Sequence, residues 1–264
     1  MIMDPEISKA FLQSGRDLVL APEIIVHHPT IGEILDLGGG ADCDYYYWSY
    51  VTNLMAEPYE AMVWLDDMGI DYESVTPFDV FALKWLDAHK RSDQKIQLSI
   101  CQDALGFFLG KRNYDLGKTE DGNFVIFDLD NPSWGIGQEV FGWIHAFIKQ
   151  INCFSDAGRI KPATASAKRI LIDDMRDEAK RRSRKKRDDE SNSLLSHIGD
   201  SMADVIYGGS GAVTPFNIEQ MRIYQLLSGA RTAHGKVRVQ SVMNGIHTGM
   251  IKSDKLDEKD LRWS

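Results

Sequence analysis

Ile136-Gly137-Gln138-Glu139-Val140-Phe141-Gly142-Trp143-Ile144-His145-Ala146-Phe147-Ile148-Lys149-Gln150-Ile151-Asn152-Cys153-Phe154 carries the strongest helical signal in the chain. Ile136, Val140, Phe141, Ile144, Phe147, Ile148 and Ile151 recur close to the 3.6-residue period, which predicts a helix over 136–154. Its apolar face is too broad for a surface helix, so it belongs in the core. Immediately before it the period changes. Asn123-Phe124-Val125-Ile126-Phe127 is rich in β-forming residues, and Asp121-Gly122 is a hairpin turn signal, so a β-hairpin is expected near 114–128.

Further upstream the start and stop signals are mostly helical. Thr76-Pro77-Phe78-Asp79 sets a cap and a first-turn proline before Phe78, Phe81, Ala82 and Trp85, which share one face with Leu86 beside them. Helices are also expected at 45–55, at 58–68 with Pro58 first and Gly69 as the stop, and at 96–109. Thr30 with Glu33 forms a capping box for a helix that Gly38-Gly39-Gly40 ends. Leu18-Val19-Leu20 and Ile24-Ile25-Val26, around Ala21-Pro22, suggest two short strands or one bent edge.

Downstream, 155–162 is the best linker candidate. Ala167, Leu171, Met175 and Ala179 then form a narrow seam on a helix expected over 165–190. The seam gives way to Lys180-Arg181-Arg182-Ser183-Arg184-Lys185-Lys186-Arg187, seven cations in eight positions. A helix over 194–207 is amphipathic through Leu195, Ile198, Met202, Val205 and Ile206. Thr214-Pro215 starts another, with Phe216, Met221, Tyr224 and Leu227 available for packing. The expected architecture is therefore mainly α (α+β): an acidic, mostly helical domain over 1–160 with the hairpin, and a helical region over 161–264.

Charge divides at the same place. Residues 1–160 hold 11 Lys+Arg and 25 Asp+Glu, and residues 161–264 hold 19 and 14, which splits the net charge of −9 into −14 and +5. The acidic balance disfavours nucleic acid as the main partner. In the basic block, Asp177 to Arg181 and Glu178 to Arg182 have the favourable i,i+4 order, so a solvated helix is the first reading. An acidic protein partner is the second and nucleic acid the third, since no aromatic residue interleaves the cations. No apolar run spans a bilayer, no secretory signal is visible, and Cys43, Cys101 and Cys153 are too few and too far apart for a disulfide framework or a zinc knuckle. A reducing cytoplasm is the expected setting.

Nothing in the motif inventory asks for bond chemistry. His27 and His28 are strand neighbours and point to opposite faces, which disfavours a shared metal. Asp128-Leu129-Asp130 after a strand reads as a turn former. The loop at 208–214 lacks the lysine of a phosphate-binding loop, Gly38–Gly40 ends a helix instead of opening one, and no nucleophile elbow is present. No enzyme activity, cofactor or metal is expected. The candidate interaction residues are Lys180, Arg181, Arg182, Arg184, Lys185, Lys186 and Arg187, the aromatic cluster Tyr45, Tyr46 and Trp48, and Trp263 near the end. Most of the aromatic cluster should serve core or interface packing.

Several segments resemble a group of bacteriophage and prophage proteins encoded among tail genes. They are His28-Pro29-Thr30-Ile31-Gly32-Glu33-Ile34, the run Met62-Val63-Trp64-Leu65-Asp66-Asp67-Met68-Gly69-Ile70-Asp71, Phe78-Asp79-Val80-Phe81, Ile151-Asn152-Cys153-Phe154, Gly245-Ile246-His247-Thr248-Gly249 and Lys259-Asp260-Leu261-Arg262-Trp263. The group is similar to tail assembly chaperones and related tail-module proteins. The resemblance implies a non-enzymatic role in the host bacterial cytoplasm, with phage tail proteins (a tape-measure or tail component) as partners and self-association into a homo-oligomer as a further expectation. The alternatives are a structural virion protein of the tail, neck or baseplate, and a nucleic-acid-binding regulator acting through the basic helix.

Overall fold

A computed structural model describes residues 7–40, 42–90, 95–154, 162–188, 197–208, 212–248 and 250, with the backbone alone for 95–97, 132, 182–188 and 197. The described chain is mainly helical with two small sheets. α1 (Lys9–Ser14) is followed by β1 (Leu18–Ala21) and β2 (Ile24–Val26), an antiparallel pair with a register shift between Val19 and Ala21. α2 (Ile31–Leu35) opens with the Thr30–Glu33 capping box intact, Glu33 N–H donating to Thr30 Oγ1 at 3.2 Å and Thr30 N–H to Glu33 Oε2 at 2.7 Å. α3 (Cys43–Leu54), α4 (Met62–Asp67), α5 (Pro77–Lys90) and α6 (Lys95–Leu109) follow. β3 (Tyr114–Lys118), β4 (Phe124–Asp128) and β5 (Asn131–Ile136) form an antiparallel meander that leads into α7 (Gln138–Ile151).

α7 sits in the core as its breadth requires, with Phe141, Ile144, Phe147, Ile148 and Ile151 all fully buried. Phe141 meets Phe78 at 4.8 Å and Phe81 at 5.2 Å between ring centroids, so α5 packs on α7 through aromatic pairs. α3 packs on α6 across the same core. The helix starts two residues later than its periodicity suggests. Ile136 pairs with Ile126 in the third strand, and the loss of that ladder would cost more than a first helical turn returns. The 58–68 expectation is also shortened, because residues 58–61 form a turn and α4 begins at Met62. Its stop is as expected: Gly69 takes φ +73° and Ile70 N–H donates to Leu65 O at 2.9 Å.

Beyond residue 161 come α8 (Ala165–Asp188), α9 (His197–Gly208) and α10 (Ile223–His247). The helix expected from Thr214 is instead a turn and a short 3-10 segment, Ile218–Gln220, and Phe216 is 96% exposed instead of packed. The proposed 155–162 linker and the tail with Trp263 fall almost wholly outside the described residues. α9 and α10 pack on each other, and Ile198, Val205, Ile218, Ile223, Tyr224, Leu226 and Ala230 join the same apolar core as Val26, Ile31, Tyr47 and Phe147.

The attachment is made at His28–Ile31. Ile223 N–H donates to Pro29 O at 3.0 Å and Ile31 N–H to Met221 O at 2.8 Å, with Thr30 bridging Arg222 across the pair. Gly32 leaves room here, since a Cβ on it would stand 3.3 Å from Glu219 O. Arg222 donates to His28 O, and Tyr224 N–H points at His28 Nε2 at 3.4 Å.

α8 makes a different kind of contact. It lies on α4 and the 3-10 segment Tyr72–Ser74, over a separate small cluster of Ala56, Met62, Leu65, Tyr72 and Val80. Ile172 is buried there and Leu171 and Met175 pack partly, so the apolar contribution is about 1.5–3 kcal/mol from Ile172 and less from each neighbour. Ala179 is exposed, so the seam read from the sequence turns by one position onto Lys168, Ile172 and Arg176 and ends there.

Candidate protein-binding cleft

An open cleft of about 750 Å³ runs between α3, the end of α7, α9 and α10. Tyr45, Trp48, Ser49 and Thr52 line one wall, Asn152, Cys153 and Phe154 the floor, and Leu227, Ala230, Arg231 and His234 the other wall. The surface it exposes is mainly apolar, with polar side chains such as Ser49, Thr52, Asn152 and Asp204 set among the rings.

The aromatic cluster is sorted by α3 itself. Four consecutive rings on a helix spread through most of a turn, so they cannot all face one way. Tyr47 points inward, fully buried, and its hydroxyl donates to Asn152 Oδ1 at 2.8 Å. Burial pushes its phenol pKa far above the usual range, so it acts only as a hydroxyl. Trp48 packs edge-on to Phe154 at 6.2 Å and forms part of the cleft wall. Tyr45 is 57% exposed and lines the mouth. Tyr46 is half-buried over the turn at Gly38, where a Cβ would lie 2.5 Å from its ring. Gly38 also has φ +61°, so Gly38→Ala should cost about 2 kcal/mol and shift Tyr46. Thermal unfolding with near-UV circular dichroism measures both effects.

The floor is held by a bend. Cys153 has φ +56°, alone among the described non-glycine residues, and its carbonyl accepts from Arg231 Nη2 at 2.7 Å. Asn152 Nδ2 donates to Ile148 O at 2.8 Å, so one side chain fixes both Tyr47 and the end of α7. Burial raises the Cys153 thiol above its ordinary pKa, which keeps it protonated and a poor nucleophile. At the rim His234 Nε2 lies 2.8 Å from Asp204, joining α10 to α9.

The structure brings Tyr45 and Trp48 together at this cleft, which neither Lys180 nor Arg181 lines. Lys180 and Arg181 are exposed on α8, and Arg182, Arg184, Lys185, Lys186 and Arg187 continue the same helix. The side chains of Arg182, Arg184, Lys185, Lys186 and Arg187 lie outside the described residues. Phe154, Arg231 and His234 are among the cleft residues that the sequence does not single out as interaction sites. Phe154 could have been suspected from its place beside Asn152-Cys153, whereas His234 carries no local signal.

The two adjacent histidines have separate surroundings. His27 places Nδ1 3.2 Å from Asp17 and Nε2 3.0 Å from Glu33, on opposite sides of its ring. Burial alone would raise the Glu33 pKa, but hydrogen bonds from Thr30 N–H and His27 outweigh it and hold the carboxyl below its usual range. His28 is fully buried, edge-on to Phe147 at 5.8 Å. Asp128 is buried against Arg112 at 3.3 Å and accepts from Asp130 N–H at 3.1 Å, capping the turn between β4 and β5. Among the described residues no helix is long and apolar enough to cross a membrane. No family model, curated protein or solved structure matches this chain.

Proposed function

We propose that this protein is a non-enzymatic assembly chaperone of a bacteriophage tail, acting in the host bacterial cytoplasm. In this reading the α3–α7–α9–α10 cleft takes the apolar face of a helix from a tape-measure or other tail component and keeps it from aggregating. The observation that carries the reading is the open cleft with Tyr45 exposed at its mouth and Trp48 and Phe154 along it. Rigid aromatic rings in such a place give large contact area for little lost side-chain entropy, and an amphipathic helix presents matching i, i+3, i+4 anchors. The resemblance of the quoted segments to phage tail-module proteins supplies the client class, and the net charge of −9 favours solubility while steering encounter with cationic surfaces.

Co-expression with the neighbouring tail genes followed by pull-down tests the reading. Capture of a tail component, reduced at least about tenfold by Tyr45→Ala with Trp48→Ala, is expected for anchors of this kind. Normal tails made without the protein would reject it. Presence of the protein in purified particles by mass spectrometry would favour a structural tail role instead.

A further inference from the structure

α8 is held to the body by a stripe at 168, 171, 172, 175 and 176, the i, i+3, i+4, i+7, i+8 spacing of one helix face. Lys168 pairs with Asp71 and with Glu73 at 2.7 Å, its ammonium 4.5 Å from the Tyr72 ring centre. Arg176 reaches Asp66 at 3.0 Å and Asp67 at 2.6 Å, and Arg169 lies 3.4 Å from Asp66. A basic amphipathic helix thus lies in an acidic-rimmed apolar groove. The stripe spans 9 of the 24 residues of α8. Asp67, Asp71 and Glu73 are all more than half exposed, so the pairs are open to screening by salt. The seat is also loose. A gap of about 330 Å³ remains where Ala165, Lys168 and Ile172 face Ile70 and Tyr72.

We propose that this groove is a second helix-binding surface, and that α8 is a built-in occupant displaced by a partner protein's helix with the pattern Lys-x2-Leu-Ile-x2-Met-Arg. The favoured partner helix carries a larger apolar residue where α8 has Ala165, because that residue fills the gap α8 leaves. The groove is separate from the cleft of the proposed function, and among the described residues none of α8 lines that cleft. The two surfaces can therefore be tested apart.

The probe is a fluorescent peptide copying residues 165–181, used with the full chain. In the wild type the tethered α8 competes at high effective concentration, so binding should be weak. Ile172→Asp in the chain loosens α8, and the peptide should then bind at least about tenfold tighter than to wild type. A peptide with Ala165→Leu should bind tighter still. Binding should fall between low and high salt, and should be lost when Asp66→Lys and Asp71→Lys are added to the Ile172→Asp chain. Hydrogen exchange of the wild type with excess Leu-substituted peptide should show α8 amides losing protection, a readout independent of any variant. Absence of binding to a folded Ile172→Asp chain, together with unchanged exchange in the wild type, would overturn the proposal. So would a stable dimer in which α8 is exchanged between copies, since the groove's occupant would then be this chain itself.

Discussion

Replacing Glu57 with alanine is expected to destabilise the protein by about 3–5 kcal/mol, the usual penalty for stripping one partner from a buried ion pair. Glu57, in the turn after α3, is buried, and its Oε1 lies 3.0 Å from Lys149 Nζ and 3.6 Å from His145 Nε2 on α7. His145 and Lys149 are four apart and so stand on one side of α7 facing this carboxylate. Truncation leaves the ammonium buried beside a void. The loss should therefore exceed that of Glu57→Gln, which keeps an acceptor of similar shape. Joint replacement, Glu57→Met with Lys149→Met, removes both charges and should recover much of the loss. Urea unfolding of the three variants decides it; a Glu57→Ala chain within about 1 kcal/mol of wild type would show that the pair contributes little. The effect should also reach the cleft, because α7 ends at its floor, Asn152–Phe154.

The sequence disclosed local structure far better than long-range structure. Thr30 with Glu33, and Thr76 with Asp79, were legible because their partners lie three residues apart; Asp79 N–H donates to Thr76 Oγ1 at 3.2 Å and Thr76 N–H to Asp79 Oδ2 at 2.8 Å. β5 was not legible. Pro132 and Gly135 are poor strand formers, and the strand exists because β4 offers it an edge. The full length of α10 was hidden for a related reason. Gly229 and Gly235 interrupt its pattern, yet Gly229 is needed where α9 crosses, since a Cβ there would stand 3.1 Å from Val205. For the cleft, aromatic content marked α3, but which of four rings faces outward depends on where α6 and α7 press on it. Tyr47 is buried and Tyr45 exposed, since two residues apart on a helix they face opposite ways.

Acid should open the junction between α10 and the rest of the body. Burial, and then the Arg222 guanidinium, lower the His28 pKa from the usual 6.5 to about 4. Above about pH 6.5 the imidazole is neutral both folded and unfolded, so its full contribution is present. As pH falls, the unfolded chain takes up a proton that the folded chain refuses until about pH 4. Stability therefore declines by about 2 kcal/mol at pH 5 and about 3 kcal/mol at pH 4 from this group alone. The site explains why protonation is resisted. His28 Nε2 faces the Tyr224 N–H, which cannot accept a hydrogen bond, and the Arg222 side chain donates to the His28 carbonyl. Charging the ring sets donor against donor beside a cation at the place where Pro29, Thr30 and Ile31 meet residues 221–223. His28→Gln offers Tyr224 a neutral acceptor and should flatten stability against pH between 7 and 4.5, with hydrogen exchange at the start of α10 no longer rising on acidification. Carboxylates such as Glu33, whose pKa is lowered, lose their share only at more acid pH, so the wild type and the variant should run parallel below about pH 4. Equal slopes from pH 7 to 4.5 would mean that His28 is not the group that ties the C-terminal helices down.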